Sequence, residues 1–233
     1  MKKLVVLTGA GMSSESGIRT FRDSGGLWEE YDVQEVATYE AWLRNRDLVL
    51  RFYNERRRQL GNCEPNAGHL GLAALEKYFD VRIITQNIDN LHERAGSRNV
   101  LHLHGELTKA RSTADPELVY DIGYRDLLNG DKCEKGSQLR PHIVWFGEAV
   151  PIMDEAAQLA SEADIFVVIG SSLNVYPAAG LVSYAPQKAS LWLIDPNEVY
   201  IPGSRKVEVI KEKAGRGVEI LTARLLEERT GEV

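Results

Sequence analysis

Three polar side chains, Gln86, Asn87 and Asp89, follow directly on the apolar, β-branched run 81–85, and His104, followed by Gly105, closes a second apolar run at 100–103. Short apolar runs bounded by polar residues read as buried parallel strands, and open α/β sheets bind ligands at the carboxyl ends of their strands. Amides, a carboxylate and an imidazole at neighbouring strand ends could hold a polar ligand and remove a proton from it, because histidine titrates near neutral pH. An isolated histidine beside a strand is more often a satisfied core residue. His104 stands apart because two strand-end clusters share one short segment, and because a glycine turn, Thr8, Gly9, Ala10 and Gly11, follows the first apolar run at 4–7. The backbone amides of such a turn suit phosphate.

The turn is similar to a dinucleotide fingerprint, yet Ser14 occupies the place of its third glycine. The strand with a terminal acid expected about 20 residues further on is also missing. A hydride-transferring dehydrogenase is therefore disfavoured, while a nucleotide site and an ordinary turn both stay open. In place of that strand, residues 17–26 read either as a loop beside the ligand, with Phe21 and Arg22 as its contacts, or as a plain surface loop.

The 233 residues are enough for one large domain with a smaller lobe. A hydrophobic content of 43% is ordinary for a globular chain, and a formal net charge of −6 implies no general affinity for nucleic acid or membrane. Two cysteines, Cys63 and Cys133, make neither a disulfide framework nor a four-cysteine metal site. The first apolar run is too short for a signal peptide, and no run is long enough to span a membrane. The expectation is a cytoplasmic protein.

Elements that position these groups alternate along the chain. Residues 33–60 read as helical, with Val49, Phe52, Tyr53, Arg56 and Leu60 on one stripe, Tyr53 and Arg56 pointing inward, and Arg57 and Arg58 turned outward. Asn66 and His69 open the helix before strand 81–85, His69 in a structural role. Residues 107–139 are polar and glycine-bearing and suggest an inserted lobe rather than sheet. Strands at 140–148, 165–172, 191–197 and 207–210 alternate with helices near 154–162, after Pro177 and at 217–228, which implies a mostly parallel sheet covered on both faces.

In chain order the motifs GAGMSSESGIRTFR, PNAGH, TQNID, HLHGE, WFGE and GSSLNVYPAA resemble those of the sirtuins, the NAD-dependent protein deacylases. The resemblance spans nearly the whole chain. It implies an α/β fold with a Rossmann-like parallel sheet at 1–28, 67–107 and 139–233, and a smaller inserted domain at 29–66 and 108–138. It further implies NAD as co-substrate, acyl-lysine proteins or peptides as partners, and transfer of the acyl group to ADP-ribose. Gly9, Ala10, Gly11, Phe21, Arg22, Gln86, Asn87, Asp89, Gly170, Ser171 and Ser172 match NAD-holding positions. His104 matches the general base, with Asn87 beside it among the catalytic positions. Val144, Phe146, Gly147 and Val175 match a clamp that receives the substrate peptide as an added strand. The Tyr-x-x-Arg spacing of Tyr53 and Arg56 matches the pair of sirtuins that act on succinyl and malonyl groups.

Three departures from the pattern stand out. Arg19 and Thr20 replace the usual proline and aspartate of the cofactor loop. The ribose-contacting asparagine is replaced by Asp195 or Asn197, of which Asp195 is assigned. Two Cys-x-x-Cys pairs are replaced by Ser112 and Asp115, then Cys133 and Gly136, so no zinc is expected. An NAD-binding sensor module and a mono-ADP-ribosyltransferase are the alternative functions; retention of His104 with the WFGE and Tyr53/Arg56 motifs favours the deacylase.

Overall fold

The computed structural model describes residues 1–19, 31–201 and 206–231. Its main sheet is six-stranded and wholly parallel, in the order β3-β2-β1-β7-β8-β9. The strands are β1 (Lys3–Thr8), β2 (Asp80–Thr85), β3 (Val100–His102), β7 (Ile165–Ile169), β8 (Ser190–Ile194) and β9 (Glu208–Ile210). Alternation along each strand divides the core between two faces. Leu4 and Val6 of β1, Val167 of β7 and Trp192 of β8 pack under helix Ala67–Leu75 and the closing helix Ala214–Gly231. Val5, Leu7, Phe166 and Leu193 pack under helix Met153–Ser161 and the 3₁₀ segment Ala178–Tyr184. The Glu15 carboxylate accepts from Gly215 N at 2.8 Å, placing negative charge at the start of the closing helix.

β1 and β7 are neighbours although 156 residues lie between Thr8 and Ile165, so the connections leave β1 and β7 in opposite directions across the sheet. The crevice of a doubly wound sheet opens at such a switch point. The loops that leave the two strands touch backbone to backbone there: Gly9 N donates to Ile169 O at 3.0 Å and Gly11 N to Gly170 O at 2.9 Å. Gly170 has φ +59°, and a Cβ on it would lie 2.4 Å from Met12 N. Only glycine fits that contact.

A second core lies beside the sheet. Residues 33–60 form three helices rather than one: α1 (Val33–Val36), α2 (Tyr39–Arg44) and α3 (Arg46–Gly61). The breaks are capped starts, since Thr38 Oγ1 accepts from Ala41 N and Asn45 Oδ1 from Leu48 N. The lobe expected to lack sheet contains an antiparallel one, ordered β5-β4-β6, from β4 (Gly105–Ser112), β5 (Val119–Asp121) and β6 (Leu139–Ile143). Two of its strands are short and its turns are polar, which hid the alternation. The sheet extends a few residues beyond the expected insertion 108–138 at each end.

Arg57 does not turn outward. It is fully buried, with Nε donating to Leu107 O at 2.8 Å and Nη1 to Asn54 Oδ1 at 2.6 Å. Burial pulls its pKa down to about 10, with the charge of Asp126 opposing. Arg58 is exposed and pairs with Asp126. His69 serves its helix start, where it and Asn66 form a reciprocal cap. Among the described residues, no helix is long and apolar enough to cross a membrane.

Candidate active site

A cleft of about 590 Å³ lies between the carboxyl edge of the main sheet and the second core. Gly9, Ala10, Gly11, Gln86, Asn87, Asp89, Gly170, Ser171, Ser172 and Asp195 line its sheet side, and His104 lines it with them. Tyr53, Arg56, Val144, Phe146, Gly147 and Val175 line the remainder. Phe21 and Arg22, and most of the loop 17–26, lie outside the described residues.

The residues after β2 form one polar network. Asn87 Nδ2 donates to Gly9 O at 3.0 Å and to Ser13 Oγ at 3.1 Å, and Ser13 Oγ donates to Asp89 Oδ2 at 2.8 Å. Asp89 Oδ1 accepts from Leu91 N at 3.2 Å. Burial pushes the Asp89 carboxyl above its ordinary value, while the bonds from Ser13 and Leu91 oppose that shift. This carboxylate is thus committed to the loop, and Ser13 carries its effect to the cleft. Gln86 Nε2 reaches Ser171 Oγ at 2.9 Å and links the ends of β2 and β7. Asp195 Oδ1 accepts from Asn197 N at 2.8 Å, so the two candidate ribose contacts belong to one turn at the cleft edge.

His104 is placed by the junction of the two sheets. Its own carbonyl accepts from Val144 N at 2.9 Å, and Gly105, with φ +80°, begins β4 so close to β6 that a Cβ would meet His142 O at 2.0 Å. His104 Nδ1 lies 3.0 Å from the Gln86 carbonyl oxygen. A carbonyl only accepts, so this nitrogen carries the proton and Nε2 presents a lone pair. Burial lowers the imidazole below its ordinary 6.5, and the bond to Gln86 recovers part of the shift.

Arg56 shares the cleft wall with Tyr53. Its Nε and Nη1 are buried and have no hydrogen-bond partner among the described residues. The contact of its Nη2 with Glu55 is long, at 3.9 Å. Glu93, another possible partner, instead binds His102 Nε2 at 2.7 Å. The guanidinium lies over the rings of Phe52 and Tyr31, at 5.3 and 5.9 Å.

Sequence reasoning passed over Ser13, Gln59 and Trp145, which also line the cleft, and the 212–214 segment before the closing helix. Ser13 and Trp145 stood within the quoted motifs; residues 212–214 carried no local signal.

The positions at which zinc-binding cysteines were sought do lie together, but they do not suit the metal. Ser112 Oγ accepts from Ala114 N and Asp115 N at 3.2 Å and from Cys133 Sγ at 3.4 Å, while Asp115 pairs with Lys135 at 2.7 Å. Gly136 has no side chain and instead donates its N–H to Cys133 O at 2.9 Å. No cluster of three or more ionisable ligands suited to a metal occurs among the described residues.

The Sir2 family model matches residues 9–177. A Bacteroides thetaiotaomicron protein named NAD-dependent protein deacylase is 56% identical over 234 residues, spanning 97% of this chain and 99% of its own. The chain belongs to the Sir2 family. This Sir2 chain also superposes on a crystal structure of a Sir2 homologue–NAD complex with a TM-score of 0.87 and 38% identity, covering 97% of it and 90% of the homologue. A Sir2-homologue mutant in complex with 2'-O-acetyl ADP-ribose gives the same TM-score and identity, covering 97% of this chain and 93% of the other.

Three of the five histidines of this Sir2 chain, His69, His102 and His104, should titrate in a defined order. Burial works to lower the His102 value, but the hydrogen bond and charge of Glu93 prevail and hold it above 6.5. Burial pushes His69 down to about 4. His102 therefore contributes stability that is full below pH 6.5 and lost as pH rises through its folded value. His69 contributes stability present above 6.5 and lost as pH falls towards about 4. On acidification, NMR titration should show His102 protonating first, His104 later than a free imidazole, and His69 only near pH 4. Joint titration of all three near 6.5 would contradict these environments.

Proposed function

We propose that this chain is an NAD-dependent protein-lysine deacylase that removes acetyl groups and also the acidic succinyl and malonyl groups, releasing nicotinamide and O-acyl-ADP-ribose. The name of the Bacteroides relative supports the general activity, and the complexes of the structural neighbours support the co-substrate and the class of product. The division into a sheet domain at 1–28, 67–107 and 139–233 and a smaller domain at 29–66 and 108–138 belongs to the same proposal.

The cleft fits NAD. Gly9, Gly11 and Gly170 meet as backbone alone and hold the ends of β1 and β7 together at the switch point of the sheet, where a pyrophosphate would lie. Ala10, Gln86, Asn87, Ser171, Ser172 and Asp195 would hold the rest with Phe21 and Arg22, and Asp89 would act through Ser13. When bound, NAD would supply a ribose carbon ready to lose nicotinamide and a ribose hydroxyl ready to receive the acyl group. His104 Nε2 takes the proton of that hydroxyl, its lone pair kept available by the Nδ1 bond to Gln86. Asn87 keeps the glycine loop in register with β2. Val144, Phe146, Gly147 and Val175 receive the backbone of the peptide, a mode that tolerates varied sequence.

The observation that carries the acyl preference is the partly buried Arg56 guanidinium at the cleft wall, whose buried Nε and Nη1 have no hydrogen-bond partner among the described residues. Buried donors without acceptors are costly, Glu55 reaches only Nη2 and at 3.9 Å, and a succinyl or malonyl carboxylate would satisfy Nε and Nη1 through charge-assisted hydrogen bonds.

Three outcomes test the proposal. With His104→Ala, nicotinamide release driven by acyl-lysine peptide should fall on the order of 10²- to 10⁴-fold, while NAD binding by calorimetry stays measurable; parental turnover would remove the base assignment. With Arg56→Met, the ratio of kcat/KM for succinyl- over acetyl-lysine peptides should fall about tenfold or more, given that charge-assisted bonds contribute roughly 1.5 to 3 kcal/mol. An unchanged ratio would leave a plain deacetylase. Purified protein should contain no stoichiometric zinc by elemental analysis and should keep its Tm and activity in chelator; zinc lost together with the fold would refute this.

A further inference from the structure

We infer that Trp145 sets the polarity of the acyl pocket: its indole N–H donates to the Tyr53 hydroxyl oxygen and so orients that hydroxyl to offer its proton to a substrate acceptor. The inference rests on the acidic-acyl reading of Arg56 and assigns a positioning role to a residue outside the Tyr-x-x-Arg pair.

Trp145 Nε1 lies 3.0 Å from Tyr53 Oη, in a buried contact between residues 92 apart in the chain. An indole nitrogen only donates, so the phenol oxygen accepts. Among the described residues nothing accepts the Tyr53 proton, and both residues line the cleft with Arg56. Burial raises the Tyr53 pKa, so the proton stays in place. That end of the cleft then presents donors: Tyr53 O–H together with Arg56 Nε and Nη1. An ionised carboxylate is an acceptor without a proton and is the terminal group such a set selects.

The indole is held so that it cannot turn away. Arg140 Cζ lies 3.5 Å from the centroid of its ring, and Arg140 binds Glu148 with both Nη atoms, at 2.7 and 2.9 Å. Glu148 Oε2 accepts from Trp145 N at 2.8 Å and so fixes the backbone as well. Trp42 packs beside the ring at 5.8 Å. Without the indole N–H, the Tyr53 hydroxyl could donate or accept, and Arg56 alone would favour an anionic acyl terminus over a neutral one.

The test compares Trp145→Phe, Tyr53→Phe, the double variant and Arg56→Met, using succinyl-lysine and acetyl-lysine peptides at saturating NAD. Trp145→Phe should lower the succinyl-to-acetyl ratio of kcat/KM about three- to tenfold, through KM for the succinyl peptide, with kcat little changed. Tyr53→Phe should lower the ratio similarly, and the double variant should fall no further than Tyr53→Phe alone. A parental ratio in Trp145→Phe, equal losses on both peptides, or losses that multiply in the double variant would each overturn the inference. If one of those results occurs while Arg56→Met still loses its succinyl selectivity, only the role of Trp145 falls. If Arg56→Met keeps the parental ratio, the acidic-acyl reading fails and this inference fails with it.

Discussion

The backbone contact between the loops leaving β1 and β7 is the constraint on which the cleft depends. Gly9 N reaches Ile169 O and Gly11 N reaches Gly170 O, so the two strand ends are joined at the point where the chain reverses its direction of travel across the sheet. Asn87 ties β2 into the same seam through Gly9 O, and Gln86 ties it to Ser171. From there the order passes outward. The Gln86 carbonyl fixes the tautomer of His104, and the His104 carbonyl receives Val144 N, where the second sheet begins. A side chain at the seam would separate loops whose spacing is repeated through every one of these bonds.

The main sheet was legible because its strands carry signals within themselves. The runs at 4–7, 81–85 and 165–169 are apolar and β-branched, and each ends abruptly at polar or glycine residues. The strand ends then put Gln86, Asn87 and His104 on one edge without further assumption. The second sheet was not legible, because β5 has three residues and gains its pairing from β4 across a polar turn. Arg57 was misread because its acceptors are decided elsewhere: the carbonyl it binds belongs to Leu107, 50 residues on, and no helical periodicity reports that. Similarly, Trp145 could be quoted as part of a motif, but its hydrogen bond to Tyr53 exists only once β6 is laid beside α3.

Two adjacent arginines on α3 show how burial and bonding together separate a scaffold residue from a candidate ligand contact. Arg57 is the deeper, and two of its nitrogens meet neutral acceptors, so it serves as a brace between α3 and β4. Arg56 is shallower, yet two of its nitrogens meet no partner among the described residues, and the rings around it offer only their faces. In the second core Ser112 pairs with Cys133 and Asp115 with Lys135, a group that offers a metal one thiol and one carboxylate.

The position of β1 at the middle of the sheet has a consequence for how the molecule is made on the ribosome. One edge of β1 pairs with β2, but its other edge pairs only with β7, so Leu4 waits for Ile165 to be synthesised. At about 5 to 20 residues per second, that interval is roughly 10 to 30 s. During it, the run Leu4 to Leu7 has an unpaired edge and an incomplete apolar cover. The nascent chain therefore carries an uncovered apolar strand edge until β7 has been made, and covering it is a late, long-range folding event.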